Sequence, residues 1–322
     1  MPGAFWIGVE VWKGASRYDA GVKEALDEQQ FDAVTVLYGD RHGKYPHGNT
    51  LIVRGRDQAI AIDPSLGLVA RGSPPPRVDR VVHSHCHEDH FAGSFLYPGT
   101  PWWFHEADLP GIRSLDALMD LYGYPEPVLS AWRKTVVERF HFEAHPTARA
   151  FRGGDTFDLG GARIEVIHAP GHTRGHSFFR VEPDELVYLA DVDLSSFGPY
   201  YGDAWSDLED FERTLAAARD LRARHYATFH HVGVLEGREA FLERLERFAA
   251  VIGERERRLL EFLAEPRSLE DVVRHRFVYR PQDPVPFADP VERRSMAQHV
   301  ARLIGAGRVR DLGSGLFQAA PT

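Results

Sequence analysis

The 322-residue chain holds a single cysteine, Cys86. An internal disulfide framework is therefore excluded, and a reducing compartment, the cytoplasm, is the expected setting. No stretch approaches the roughly 20 consecutive apolar residues that a membrane span needs. The opening stretch MPGAFWIGVEVWKG lacks a basic segment followed by a long apolar one, so no secretory signal is expected. Cationic charge is short as well. Lys and Arg total 38 against 47 Asp and Glu, a net charge of -9, which argues against nucleic acid as a partner of the whole surface. The rest is the composition of an ordinary globular protein, 43% hydrophobic and 26% charged, long enough for one large domain and a small one.

Histidine is concentrated in one place. Residues 81–93 read VVHSHCHEDHFAG and pack His85, His87, Asp89 and His90 behind an apolar run. Arg80 to His83 reads as the end of a buried strand. If the backbone stays extended beyond it, residues two apart face the same way, so His85 and His87 can converge on one ion. Asp89 and His90 follow where the chain turns, placed to reach a neighbouring ion. Imidazole and carboxylate together suit zinc, iron or manganese.

This stretch resembles the HxHxDH signature of the metallo-β-lactamase superfamily, with Gly93 where that signature carries its glycine. The resemblance implies an α/β fold, a four-layer αββα sandwich with two divalent metal ions, zinc foremost, at one edge. It also implies further ligands. His172, in PGHTRGHS, takes the position of the third metal motif, and His176 is expected to be a buried neighbour of it. Asp191, at the end of the apolar run Leu186 to Ala190, takes the place of the bridging carboxylate, with Asp193 as the alternative. The last ligand falls at His230-His231, where the continuation HVGVLEGREA favours His231 and leaves His230 open. Asp63, after the strand Gln58 to Ile62, stands where the family has a residue supporting the ligand loops. A turn cap before Pro64 is an equal reading. With His85, His87 and His172 on one ion, Asp89, His90 and His231 on the other and Asp191 shared, the chain is expected to be a metallo-hydrolase. Its substrate would be a small molecule: an ester, lactone, thioester or phosphodiester. Asp89 would serve catalysis as well as the metal. An iron-dependent redox member, or a nuclease, is the alternative. Cys86 alternates away from the ligands and reads as packing.

Elsewhere, Phe31 to Tyr38 and Thr50 to Arg54 are β-rich. Residues 106–150 read as a helical insertion that could roof the site, form a homodimer contact or only pack, with His105, His141 and His145 as packed or solvated residues rather than ligands. Tyr200 and Tyr201 could line a substrate entrance. Asp207 to Arg222 is amphipathic through Leu208, Phe211, Leu215, Ala218 and Leu221. Residues 1–253 thus form the catalytic domain. Residues 254–322 read as helices and a hairpin around Gly313-Ser314-Gly315, similar to a winged helix. Nucleic acid remains conceivable there through Arg293, Arg294 and Arg302. Yet this segment has twelve arginines against ten acids, a margin of about +2 that is thin for gripping several phosphates.

Overall fold

The computed structural model describes residues 28–283 and 285–321, so the opening stretch read above for a signal lies outside the described residues. Seven strands form a first sheet in chain order: β1 (Glu28–Gln30), β2 (Val34–Leu37), β3 (Thr50–Arg54), β4 (Ala59–Ile62), β5 (Arg80–Val82), β6 (Trp102–His105) and β7 (Arg149–Phe151). β1 to β4 pair antiparallel and β4 to β7 parallel. The second sheet has the order β13-β12-β11-β10-β9-β8. Its strands are β8 (Thr156–Asp158), β9 (Arg163–His168), β10 (Ser177–Glu182), β11 (Leu186–Tyr188), β12 (His225–Ala227) and β13 (Val234–Glu236), and only β11 and β12 run parallel.

The pleat sorts each strand's residues between two cores. Val34, Val36, Leu51, Val53, Ile60 and Ile62 point inward against Ile164, Val166, Phe179, Leu186 and Tyr188 of the second sheet. Their alternates Leu37, Ile52, Ala61 and Val81 point outward, under helices Leu66–Ala70, Leu109–Arg113, Leu115–Tyr122 and Val128–Arg139. Val187 and Tyr226 point outward from the second sheet, under helices Leu208–Ala218 and Arg238–Phe262. β4 is buried along its whole length because both of its faces are covered. This is the αββα layering expected.

The helical insertion ends slightly earlier than the pattern suggested. Arg149 and Ala150 belong to β7, an edge strand too short and too exposed to show alternation. At the other end of the chain, helix Arg238–Phe262 is continuous through the 253/254 boundary. Beyond it, helices Leu269–His275 and Ala288–Gly305 pack with β14 (Arg267–Ser268), β15 (Val309–Asp311) and β16 (Leu316–Ala319), paired in the order β14-β16-β15. Their own small core contains Leu259, Val272, Met296 and Leu303. Among the described residues, no helix is long and apolar enough to cross a membrane.

Candidate metal centre

The site gathers where strands of both sheets end. Asp63 follows β4, the HxHxDH stretch follows β5, and His172 lies in the β9–β10 connection; Asp191 follows β11 and His230 follows β12. Asp63, Ala190 and His231 adopt left-handed φ of 48°, 47° and 62°. Non-glycine residues held there carry strain, and here they turn the chain off the sheet beside the ligands. Gly93 is needed for space: a Cβ there would lie 2.7 Å from the Ser65 carbonyl oxygen.

Two groups of side chains converge. His85, His87, His172 and Asp191 form one; Asp89, His90 and His230 form the other. The two oxygens of Asp191 face different groups, Oδ2 lying 3.2 Å from His172 Nε2 and Oδ1 lying 3.0 Å from His90 Nε2. His231 is a correction. It lies outside both groups, its Nε2 3.8 Å from Asp193. The reason is a tight loop. Thr228 bonds across it to Gly233 and to the His230 carbonyl. That closure turns His230 inward, to 3.0 Å from Asp89 Oδ2, and leaves His231 at the rim. Asp193 accepts from Ser195 N and is also outside the groups.

The outer hydrogen bonds decide which nitrogen each ring presents. His87 Nε2 donates to Asp203 at 3.0 Å, His172 Nδ1 to the Tyr200 carbonyl at 2.9 Å, His90 Nδ1 to Asp63 at 2.8 Å and His230 Nδ1 to the Gly43 carbonyl at 2.6 Å. Ser84 Oγ donates its own proton to Asp63, so His85 Nδ1 donates to Ser84. Carbonyls and carboxylates only accept, so each ring, once neutral, turns a bare nitrogen inward. His87 Nδ1 then lies 2.9 Å from both His85 Nε2 and His172 Nε2, with no proton between them. His90 and His230 face carboxylate oxygens at 3.0 Å, where either a second ring proton or a metal ion can lie between nitrogen and oxygen. Such an arrangement fits cations. Tetrahedral zinc, with bonds of about 2.0–2.1 Å, sets its ligands about 3.3 Å apart, close to the separations seen.

The charges agree. Burial, with the rings of His90, His87 and His172 adding to it, holds His85 well below the ordinary histidine range. Burial also opposes charge on His90 and His230. Asp191 with Asp63 and Asp89 outweighs it for the first, and Asp191 with Asp89 for the second. His90 is lifted well above its usual value and His230 to about 9. The carboxylates draw positive charge into the site.

Asp63 is buried beneath the two groups. It accepts from Ser84 N, Ser84 Oγ, His90 Nδ1 and Tyr188 OH, while Ser65 caps the helix that follows. His176 donates to the Ala169 carbonyl and accepts from Asp191 N, behind Asp191. Cys86 is buried against Gly111. His105 stacks on His168, His145 on Trp102, and His141 bonds the Ala92 carbonyl.

Sequence reasoning missed two buried acids. Asp203 orients His87 and also accepts from Tyr124 and Tyr200. Asp108 ties the ligand loops together, accepting from Cys86 N, Thr173 Oγ1 and Gly175 N. Neither sits in a motif; the aromatic run before Asp203, FGPYYGDAW, was the one signal near it.

Over the two groups lies a cavity of about 280 Å³. The insertion supplies Tyr122, Tyr124 and Trp132 to its wall, and the C-terminal segment supplies Tyr279, Val285 and Phe287. Tyr200 lines it, whereas Tyr201 is turned away to His299 and Arg255.

The chain resembles known proteins. The metallo-beta-lactamase superfamily model matches residues 46–250. The acyl-coenzyme A thioesterase MBLAC2 of Bos taurus is 25% identical over 166 residues, 45% of this chain and 57% of that protein. A hydroxyacylglutathione hydrolase of Hyphomonas neptunium is 46% identical over 44 residues, 14% of this chain and 17% of that one. The chain thus spans little more than half the length of the former and much less of the latter. Among solved structures, a metallo-beta-lactamase family protein of Thermus thermophilus superposes with a TM-score of 0.65 at 22% identity, over 89% of this chain and 99% of that one. A beta-lactamase domain protein of Burkholderia ambifaria gives 0.67 at 18%, over 94% and 97%. At these identities the likeness is one of fold.

Proposed function

The chain belongs to the metallo-beta-lactamase superfamily, and from that premise we propose that it is a metal-dependent hydrolase of a small ester, lactone or thioester. One observation carries the reading: five imidazoles, each fixed by an outer hydrogen bond, turn their other nitrogen toward one another and toward Asp89 and Asp191 in two adjoining groups. His85, His87 and His172 would hold one divalent ion and Asp89, His90 and His230 the other, with Asp191 between them. The imidazole-rich donor set favours zinc, with iron or manganese also suited. Two such ions supply a polarised carbonyl and a water acidic enough to act as nucleophile near neutral pH. Asp89 is placed to orient that water and take up its proton.

The cavity narrows the substrate. Its walls are largely aromatic, and among the described residues no Lys or Arg lines it. A phosphodiester would find no counter-charge in those walls beyond the metal ions themselves, so carboxylic substrates are preferred. The name of the bovine relative, a thioesterase, supports including thioesters. A cytoplasmic setting accords with the lone buried thiol.

We read the C-terminal segment as a substrate-shaping extension, not a nucleic-acid module. Arg293 pairs with Glu270, Arg294 donates to the Gly123 carbonyl, and Arg302 pairs with Glu212 and Glu256. Guanidinium groups so engaged are not a free stripe for phosphates.

Elemental analysis of purified protein, followed by an ester, lactone and thioester panel, tests the reading. About two equivalents of divalent metal per chain and turnover on that panel are expected. Asp191→Ala should abolish turnover and loosen both ions. Unchanged activity in that variant, or protein that takes up no metal on reconstitution, would overturn the assignment.

A further inference from the structure

We propose that Arg255, of helix Arg238–Phe262, and Gln298, of helix Ala288–Gly305, are positioning residues for the metal held by His85, His87 and His172. They act through the loop of residues 197–206, and the inference rests on the reading of that ligand group as a metal site. Two of its three imidazoles have their outer acceptors in this loop. The Tyr200 carbonyl accepts from His172 Nδ1, and Asp203 accepts from His87 Nε2. Ser206 adds a third tie, its Oγ donating to the His172 carbonyl at 2.7 Å. A shift of the loop therefore carries two ligand rings with it.

The loop is neither helix nor strand, so its path is fixed by what it bonds to. Three successive carbonyls show the pattern. That of Tyr200 serves the ligand His172, and the two beside it go to the C-terminal helices. Arg255 Nη1 donates to the Pro199 carbonyl, and Gln298 Nε2 donates to the Tyr201 carbonyl at 2.9 Å. Arg255 Nη2 also donates to the Phe197 carbonyl at 2.8 Å. Gln298 Oε1 accepts at 2.7 Å from the backbone N–H of Leu208, the first residue of the next helix. The two side chains thus grip the chain before Tyr200, just after it and beyond Asp203. Arg255 is 2% exposed, and its remaining bond goes to the Tyr201 hydroxyl. A buried guanidinium is costly unless its donors are met, and here the loop meets them. Gly202 closes the fit: a Cβ there would lie 2.3 Å from Val291 Cγ1.

The second ligand group is held differently. His90 donates to Asp63 and His230 to the Gly43 carbonyl. Neither acceptor lies in the loop or bonds to Arg255 or Gln298, whose own bonds go to residues 197–208 and, for Gln298, back to Arg294. General packing of the C-terminal helices would steady both groups alike. Tethers confined to one loop should steady only one.

Zinc titration of the full chain against a competing chelator tests this. Gln298→Leu keeps the bulk and removes both hydrogen bonds. It should weaken one zinc equivalent about five- to tenfold, the low end of what loss of a direct outer partner costs, and leave the other within about twofold. Arg255→Lys keeps the charge and drops the fork that spans two carbonyls. It should act in the same way, and it decides the matter if Gln298→Leu fails to fold. Met296→Ala is the control: it loosens the C-terminal core without touching either tether, and both equivalents should keep wild-type affinity. With cobalt in place of zinc, the ring N–H protons of His87 and His172 should exchange with solvent faster in Gln298→Leu, and those of His90 and His230 should not. Two unaltered equivalents in the tether variants, or equal weakening of both, overturns the inference. Turnover separates it from the broader reading. Selective loss of one equivalent, with no ester, lactone or thioester hydrolysed by wild type, leaves the tethers standing and removes the hydrolase. Hydrolysis by wild type, with unaltered zinc affinity in both tether variants, does the reverse. A wild type that takes up no metal removes both.

Discussion

His230 and His231 are adjacent in the chain and differ in almost everything that matters for coordination. One is buried, donates to the Gly43 carbonyl and faces Asp89; the other is at the rim. His230→Ala should therefore remove one of two bound metal equivalents and most of the activity, while His231→Ala should leave both near wild type. Metal titration against a chelator distinguishes them, and the opposite ranking would sink the ligand set proposed here. Asp203 acts one step further out, through His87. Asp203→Ala frees that ring to rotate or change tautomer, and loss of an outer partner of this kind typically costs 10–100-fold in metal affinity. The clustered residues of the site were legible because His85, His87, Asp89 and His90 lie within one short stretch of chain. Asp203 and Asp108 were not, since a lone acid shows nothing of what folds against it. The choice between the two last histidines was hidden for a related reason. It depends on how Thr228 closes a loop onto Gly233, and no local spacing encodes that closure.

At the scale of elements, the C-terminal segment is fastened by charge as well as by packing. Glu256 bonds Arg302, lies 3.0 Å from Arg308 and 3.5 Å from His299 Nδ1. The hydrogen bond with His299, and Arg302 beside it, hold Glu256 down from its ordinary 4.5 to about 2. A carboxylate more acidic in the folded chain than in the unfolded one stabilises above its ordinary value and loses that contribution as pH falls through the folded one. Denaturation midpoints of wild type and Glu256→Gln should differ at neutral pH and converge between pH 4.5 and about 2. Met296, fully buried in the small C-terminal core, offers a packing test: Met296→Ala should cost about 2–5 kcal/mol and raise KM without altering metal content. Long elements announced themselves through periodicity; helix Leu208–Ala218 lies within its amphipathic stretch. β1, β7, β13 and β14 did not, being two or three residues long. A strand that short carries no repeat to read and is created by its neighbour's free edge.

For the whole molecule, the distribution of charge sets what the surface can meet. A short duplex DNA or single-stranded RNA titrated at low salt should give a flat anisotropy trace, because the arginines of helix Ala288–Gly305 are engaged. A salt-dependent rise would restore the nucleic-acid alternative.

Helix Arg238–Phe262 bears on how anything enters the cavity. Its 25 residues form a rod of about 37 Å, with Phe241, Leu245 and Phe248 set in the sheet-covering core and Leu259 in the terminal one. Both ends are anchored, so the far wall of the cavity has no free hinge on which to swing. Gly253 lies along the rod with nothing within 4 Å of where a Cβ would project. Gly253→Ala should therefore raise stability by about 0.5–1 kcal/mol and leave turnover unchanged, a result a hinge at that point would not allow. Traffic in and out then falls to rotation of the side chains that line the mouth. The molecule behaves as a stiff vessel.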